Sequence, residues 1–344
     1  MKKNNELNLL KSLISIYSPS YQEKKCVEFI VSYMKKHGFE SFIDESGNAI
    51  GVIGKGNKAI LMAGHIDTVS GKIPVRVEDN ILYGRGSVDA KGPLAAFVLA
   101  AKDADLNDKK IIVAGCVEEE VATSKGARNL IGKYKPDYII IGEPSGTSGI
   151  TLGYKGRLLC DYTINIDNFH SARGLGACDD VIGFYNKISE YAKPFMHEKI
   201  FDSLQWTARE INSEMNGMTQ RASVNLSFRL PVGFKIKDLK NYLEKIKGNG
   251  TLELYGEEKA IKIDKNNALV RAFMQSIRMH GLEPTFKFKT GTSDMNVLGH
   301  AYPNVPIVAY GPGDSALDHT PNEHISLSEF EKSVDVLKEM LNTL

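Results

Sequence analysis

A chain of 344 residues exceeds what one hydrophobic core usually organises, so two domains are expected. With 42% apolar and 25% charged residues it has the make-up of an ordinary globular protein, which excludes a disordered or low-complexity chain. The 43 basic and 42 acidic residues leave a formal charge of +1, and with it no global field for nucleic acid or an anionic membrane surface.

The N-terminal stretch MKKNNELNLLKSLISIYS is too interrupted by Lys and Ser for a signal segment, and no later run offers about 18 unbroken apolar residues for a membrane span. Cys26, Cys116, Cys160 and Cys178 lie far apart with no CxxC spacing, which argues against a disulfide framework or a zinc finger. A cytoplasmic protein in a reducing compartment is the expectation.

Two helices are predicted in the first 40 residues. Leu7, Leu10, Leu13 and Ile14 keep helical spacing, and Ser20 with Glu23 makes a capping box before the second helix. The period then changes: AIGVIG, AILMAGHID, KIIVAGCVEE and DYIIIGEP read as strands, alternating with helices from Pro93 to Ala101 and Ala127 to Tyr134. From Gly153 the order is strand (GRLLCDYTINI), helix (DDVIGFYNKISEYA), strand (TAREINSEM), strand (ASVNLSFRLP), helix (IKDLKNYLEKIK), strand (TLELYGEEKAIKI), the split βαβ sandwich. Past residue 265 the alternation resumes with a helix through ALVRAFMQSIRMHG, strands near FKFKTG and VPIVAYG, and a last helix capped by Ser326 and Glu329. The expected fold is therefore an α/β domain, residues 1–152 and 266–344, with a mixed sheet flanked by helices. A ferredoxin-like βαββαβ domain is inserted at 153–265.

Splitting an unactivated amide needs a strong nucleophile and a stabilised oxyanion, and two metals about 3.5–4 Å apart supply both. Carboxylates and imidazoles suited to that task recur here just after apolar strands or inside Gly/Pro-punctuated turns. They are His65 and Asp67 closing AILMAGHID, Asp89 in GRGSVDAKGP, the run Glu118, Glu119 and Glu120, Glu143 in IIIGEPS, and His319 in LDHTPNE. An open α/β sheet binds its ligands at these carboxyl ends. Singly, each has a plainer reading: a capped turn for H-x-D, a solvated charge run for the glutamates, turn chemistry for Glu-Pro and Asp-His. Only their conjunction points to a metal centre.

These motifs resemble the M20 family of metallopeptidases and amidohydrolases, over essentially the whole chain from SPSYQE to HTPNEHI. The family includes acetylornithine deacetylase, succinyl-diaminopimelate desuccinylase and glutamate-releasing carboxypeptidases. The resemblance implies two divalent ions per subunit, zinc first and cobalt or manganese as alternatives. It assigns His65, Asp89, Glu120, Glu143 and His319 as ligands, with Asp89 bridging and Asp67 orienting or tuning the His65 imidazole. Many relatives carry a second acid or a methionine after the bridging aspartate, where this chain has Ala90. Of the three glutamates, a pair at Glu119 and Glu120 leaves five residues before the Gly-Ala-Arg of GARNL, near the family gap, which makes Glu119 the general base.

The same resemblance makes His170 of NFHSARG the inserted domain's oxyanion donor, supplied across a dimer in some relatives. Arg229 of NLSFRLP would grip a substrate carboxylate. Gly291, Thr292 and Asp294 of KTGTSDMN would line the substrate pocket. His37, His197, His280, His300 and His324 have no ligand counterpart and are read as structural.

Within the family the chain is most similar to the short branch that releases lysine or ornithine from the terminal glutamate of an acidic amino-group carrier protein. TLGYKGR, VEEEVATSKGAR and KTGTSDMNVLG carry that likeness, with intervals of 24 from His65 to Asp89, 30 on to Glu119, and 23 from Glu120 to Glu143. Lys155, Arg157, Lys287 and Lys289 would form a basic rim for the carrier. The alternative is an enzyme acting on small acylated amino acids or peptides: an N-acetylornithine or N-acetyl-lysine deacetylase, a desuccinylase, or a peptidase. A homodimer through the inserted domain is expected.

Overall fold

The computed structural model describes residues 2–344, with side chains from residue 7 onward. The chain divides into two compact units. The first runs through Gly153 and takes in Ile263–Phe288 and Ser293–Leu344; the second is Tyr154–Lys262 with Lys289–Thr292.

The first unit is built on a mixed sheet whose centre is four parallel strands, ordered Lys109–Cys116, Lys58–His65, Tyr138–Gly142 and Ile307–Ala309. The Lys58–His65 and Lys109–Cys116 strands are buried along nearly their whole length, which is why they read as unbroken apolar runs rather than as alternation. Antiparallel strands flank them, Ala49–Ile53 and Glu40–Ile43 on one side and Gly149–Tyr154 on the other. Register sets His65 opposite Cys116 and Gly64 opposite Gly142, so three strands end level. That level edge carries the acidic and imidazole groups.

Helix Lys91–Lys102 is buried from Lys91 to Ala101, its Phe97 lying close over the sheet. A Cβ on Gly142 would come within 3.0 Å of both Gly64 Cα and the Phe97 ring, so glycine there lets helix and strands meet. The C-terminal helix Leu327–Thr343 packs on Lys91–Lys102 and on Ala268–Met279. A small antiparallel sheet joins Arg76–Glu78, Ile81–Tyr83 and His324–Ser326. None of its three-residue strands is long enough to show a period in sequence.

The second unit follows the predicted βαββαβ order: Gly156–Asp167, helix Ala177–Ala192, Gln205–Met215, Thr219–Leu230, helix Ile236–Ile246 and Thr251–Glu258. The antiparallel sheet runs Gln205–Met215, Thr219–Leu230, Gly156–Asp167, Thr251–Glu258. Its core joins Leu158, Cys160 and Tyr162 to Val181, Phe184, Leu239 and Leu243, with Tyr162 stacked on Phe184 at 4.0 Å. Among the described residues no helix is long and apolar enough to cross a membrane, and all four cysteines are free.

Four local readings need correction. The second helix starts at Lys24 with Glu23 as its N-cap and no side-chain cap, so Ser20 and Glu23 form no capping box. The helix expected from Ala127 to Tyr134 is the shorter Lys125–Leu130. At the last helix Ser326 does accept the Glu329 N–H, but the Glu329 carboxylate turns to the Gly313 N–H. The stretch KTGTSDMN is only partly loop: Ser293 caps a helix, Asp294–Ala301, in a capping box with Asn296.

Candidate metal centre

At the level strand ends, the His65 imidazole is wholly buried and held from both sides. Its Nδ1 lies 2.9 Å from the Asp67 carbonyl oxygen, and its Nε2 lies 3.0 Å from Asp89 Oδ1. The second Asp89 oxygen, Oδ2, stands 3.0 Å from His319 Nε2, which also lies 2.9 Å from Glu120 Oε2. Asp89 therefore presents one oxygen to each imidazole. The peptide from Asp89 to Ala90 is cis. His319, at φ 61°, reaches inward from a half-exposed loop.

Two overlapping groups of donor atoms result, each lying within 4.8 Å: His65 with Asp89 and Glu120, and His65 with Glu119 and Glu143. The chemistry of this set fits a pair of divalent cations. Imidazole nitrogen alternates with carboxylate oxygen, one carboxylate faces both imidazoles, and Glu120 Oε1 is buried without a hydrogen-bond partner.

The glutamate run is split by its backbone. Glu118, at φ 58°, turns its carboxylate to Thr123 Oγ1 (2.8 Å) and Lys125 Nζ (3.2 Å), away from the donor groups. The N–H groups of Glu119 and Glu120 both donate to Asp67, to Oδ1 and Oδ2 at 3.1 Å each. The Asp67 backbone carbonyl orients His65, while its carboxylate, 3.6 Å from Nδ1, acts on the ring through charge and fixes the turn bearing the two glutamates. Ser20, misread as a helix cap, donates to Asp67 Oδ2 at 2.7 Å. Buried Asn48 accepts the Val117 N–H at 3.1 Å and donates to Gly126 O, tying down the other end of that turn. No local pattern marks Asn48 or Ser20, since each acts on a partner far along the chain.

Burial raises Glu119 well above the usual carboxylate range, and the neighbouring charges of Glu143, Asp294 and Glu120 push the same way against His65. Glu120 is raised by burial and then by Asp89. His319 is raised to about 11 by its bonds to Asp89 and Glu120. Burial alone would lower His65, but the charges of Glu119, Asp67 and Asp89 outweigh it and hold the ring well above its ordinary value. Asp89, although buried, is lowered by the two imidazoles.

The remaining predicted residues have settings of their own. Asp294 is almost wholly buried in the first turn of its helix. In the second unit, Arg229 Nη1 donates to Thr292 Oγ1 at 2.9 Å, while His170 is exposed and its Nδ1 accepts the Ala172 N–H. Lys155 is no rim residue: it has no exposed surface, and its amine donates to Ile200 O, Ser203 O and Gln205 Oε1. Burial, and then Arg229, lower it to about 8. The Lys289 amine is shielded from solvent as well, 6.0 Å from the centre of the Tyr154 ring.

Comparison with known proteins agrees with this architecture. The model of Peptidase family M20/M25/M40 matches residues 61–343. The chain is 43% identical to the LysW-lysine hydrolase of Deinococcus radiodurans, covering 98% of this chain and 96% of that one. It is also 43% identical to a putative LysW-lysine/LysW-ornithine hydrolase of Thermococcus kodakarensis, with 98% and 92% covered. Among solved structures, the M20 family metallo-carboxypeptidase Sso-CP2 of Sulfolobus solfataricus superposes with a TM-score of 0.81 at 20% identity, covering 98% of each chain. A dinuclear metal-binding M20 peptidase of Bacillus subtilis gives 0.69 at 13% identity, with 99% and 97% covered. With the donor groups gathered on that fold and a family match spanning both units, the chain belongs to peptidase family M20/M25/M40 and is an amide-bond hydrolase.

Proposed function

We propose that this enzyme releases lysine or ornithine from an acidic amino-group carrier protein by hydrolysing the amide between the amino acid's α-amino group and the γ-carboxyl of the carrier's terminal glutamate. The likeness to the Deinococcus LysW-lysine hydrolase over nearly the full length of both chains carries this reading. His65 and Glu143 would hold one divalent ion and Glu120 and His319 the other, with Asp89 shared between them. Zinc is the metal proposed. When bound, such a pair lowers the pKa of a shared water and polarises the scissile carbonyl.

The chain's own groups supply the rest. Glu119, whose burial and acidic neighbours raise its proton affinity, takes the water's proton during attack and delivers it to the departing amine. His170 donates to the developing oxyanion. Arg229, with Gly291 and Thr292, receives a substrate carboxylate, and Asp294 attracts the side-chain ammonium. Arg157 and Lys287, both partly exposed, remain for the acidic carrier.

We also propose a homodimer through the second unit. Its edge strand Gln205–Met215 exposes Ile211 and Met215, at 64% and 66%, beside Ile182 of the adjoining helix at 57%.

Metal-loaded protein, assayed side by side on lysine-loaded carrier and on N-acetylornithine, is expected to turn over the carrier. Turnover of acetylornithine with none of the carrier would overturn the assignment. Glu119→Gln is expected to lose at least about a hundredfold in kcat while binding two metals per chain; an active variant would move the base elsewhere.

A further inference from the structure

Four residues beyond His319, Glu323 is wholly buried and is not a member of either donor group. Its carboxylate is spent on the opposite turn. Oε2 accepts from Arg85 Nη1 at 2.8 Å, and Oε1 accepts from the backbone N–H groups of Val88 at 2.9 Å and Asp89 at 3.1 Å. Arg85, itself nearly buried, is fixed by a bond from Nε to Gly71 O.

The small sheet explains why these residues meet. Strand His324–Ser326 pairs with Ile81–Tyr83 in the register His324 opposite Tyr83, and one step further the Gly84 N–H donates to Glu323 O at 3.2 Å. The loop bearing His319 thus enters the sheet at the point where the turn bearing Asp89 leaves it. Side chains close the circuit, since His319 Nε2 reaches Asp89 Oδ2 while Glu323 holds the Asp89 backbone.

We propose that Glu323 is a positioning residue which, with Arg85, locks the Asp89 turn and the His319 loop into one register and so sets the spacing of the donors that Asp89 bridges. This rests on the dinuclear reading above. A carboxylate is needed because it accepts on both oxygens. Glutamine can serve the Val88 and Asp89 N–H groups only by turning its NH2 toward Arg85, leaving a buried guanidinium without its counter-charge.

Cobalt titration and the visible spectrum of the cobalt-loaded protein test this apart from activity. Glu323→Gln is expected to weaken binding of at least one cobalt ion roughly tenfold to a hundredfold, the range seen when partners of metal ligands are removed, and to change the cobalt bands. Turnover should fall in kcat more than in KM. The double variant Arg85→Met with Glu323→Gln removes the uncompensated charge; it is expected to recover thermal stability yet keep the weakened cobalt site. Arg85→Lys, which retains the charge, should show the same change in smaller measure. Wild-type affinity and spectrum in the folded double variant would overturn the proposal, as would backbone amides of Val88 and Asp89 that exchange in wild-type protein as fast as those of an open loop. A wild-type chain that fails to bind two metals would overturn the dinuclear reading instead.

Discussion

At the scale of single residues, Asp67 shows how one carboxylate serves several groups. Fully buried itself, it accepts from the Glu119 N–H, the Glu120 N–H and Ser20 Oγ. Asp67→Asn replaces an acceptor with a donor facing another donor, so a loss of about 1–3 kcal/mol in folding stability is expected by denaturant titration, together with weaker metal binding. His319 offers a second test. Raised to about 11 in the metal-free protein, it carries its proton at neutral pH, and Nε2 becomes a ligand only by giving that proton up. Loading metal at pH 7.5 should therefore release protons, seen as buffer-dependent heats in calorimetry, and apparent affinity should rise with pH by about tenfold per unit for each proton released. Affinity that is flat from pH 6 to pH 8 would contradict the assignment. The acids and imidazoles themselves stand out in sequence because each follows an apolar strand or sits in a Gly/Pro-punctuated turn. Ser20 and Asn48 do not, because a hydrogen bond to a partner 47 or 69 residues away leaves no local pattern.

At the scale of elements, length decides what a sequence reveals. The eight-residue strands Lys58–His65 and Lys109–Cys116 announce themselves as apolar runs, whereas Ile81–Tyr83 and His324–Ser326 are too short for any period and become strands only by pairing with each other. Helix Asp294–Ala301 was hidden by the glycine and hydroxyl residues before it, although Ser293 and Asn296 make a capping box that sequence does contain. The edge strand Gln205–Met215 is the element on which the proposed dimer depends. Ile211→Lys sets a charge on its exposed face, and sedimentation velocity should show a shift from dimer to monomer with little loss of thermal stability. If His170 acts across subunits, kcat falls with the dimer; a dimeric variant would place the interface elsewhere.

At the scale of the molecule, what suggests a second unit in sequence is the change in the pattern of strands and helices near Gly153 and its return after residue 265. The loop at Lys289–Thr292 does not stand out, since its return to the second unit is set by pairs such as Lys155 N to Lys289 O and Arg229 to Thr292, which no stretch of sequence displays.

Strand Ile307–Ala309 lies between Tyr138–Gly142 and Gly149–Tyr154 in the first sheet, yet more than 150 residues separate it from those neighbours. A nascent chain that has emerged through Gly153 already carries His65, Asp89, Glu119, Glu120 and Glu143, but neither His319 nor the strand Ile307–Ala309 that the sheet needs between its neighbours. The second unit, contiguous except for Lys289–Thr292, is synthesised in the interval. At about 5–20 residues per second, these donors precede His319 by many seconds of synthesis. The donor set and the sheet are completed together, by the same last stretch, when residues 307–323 arrive.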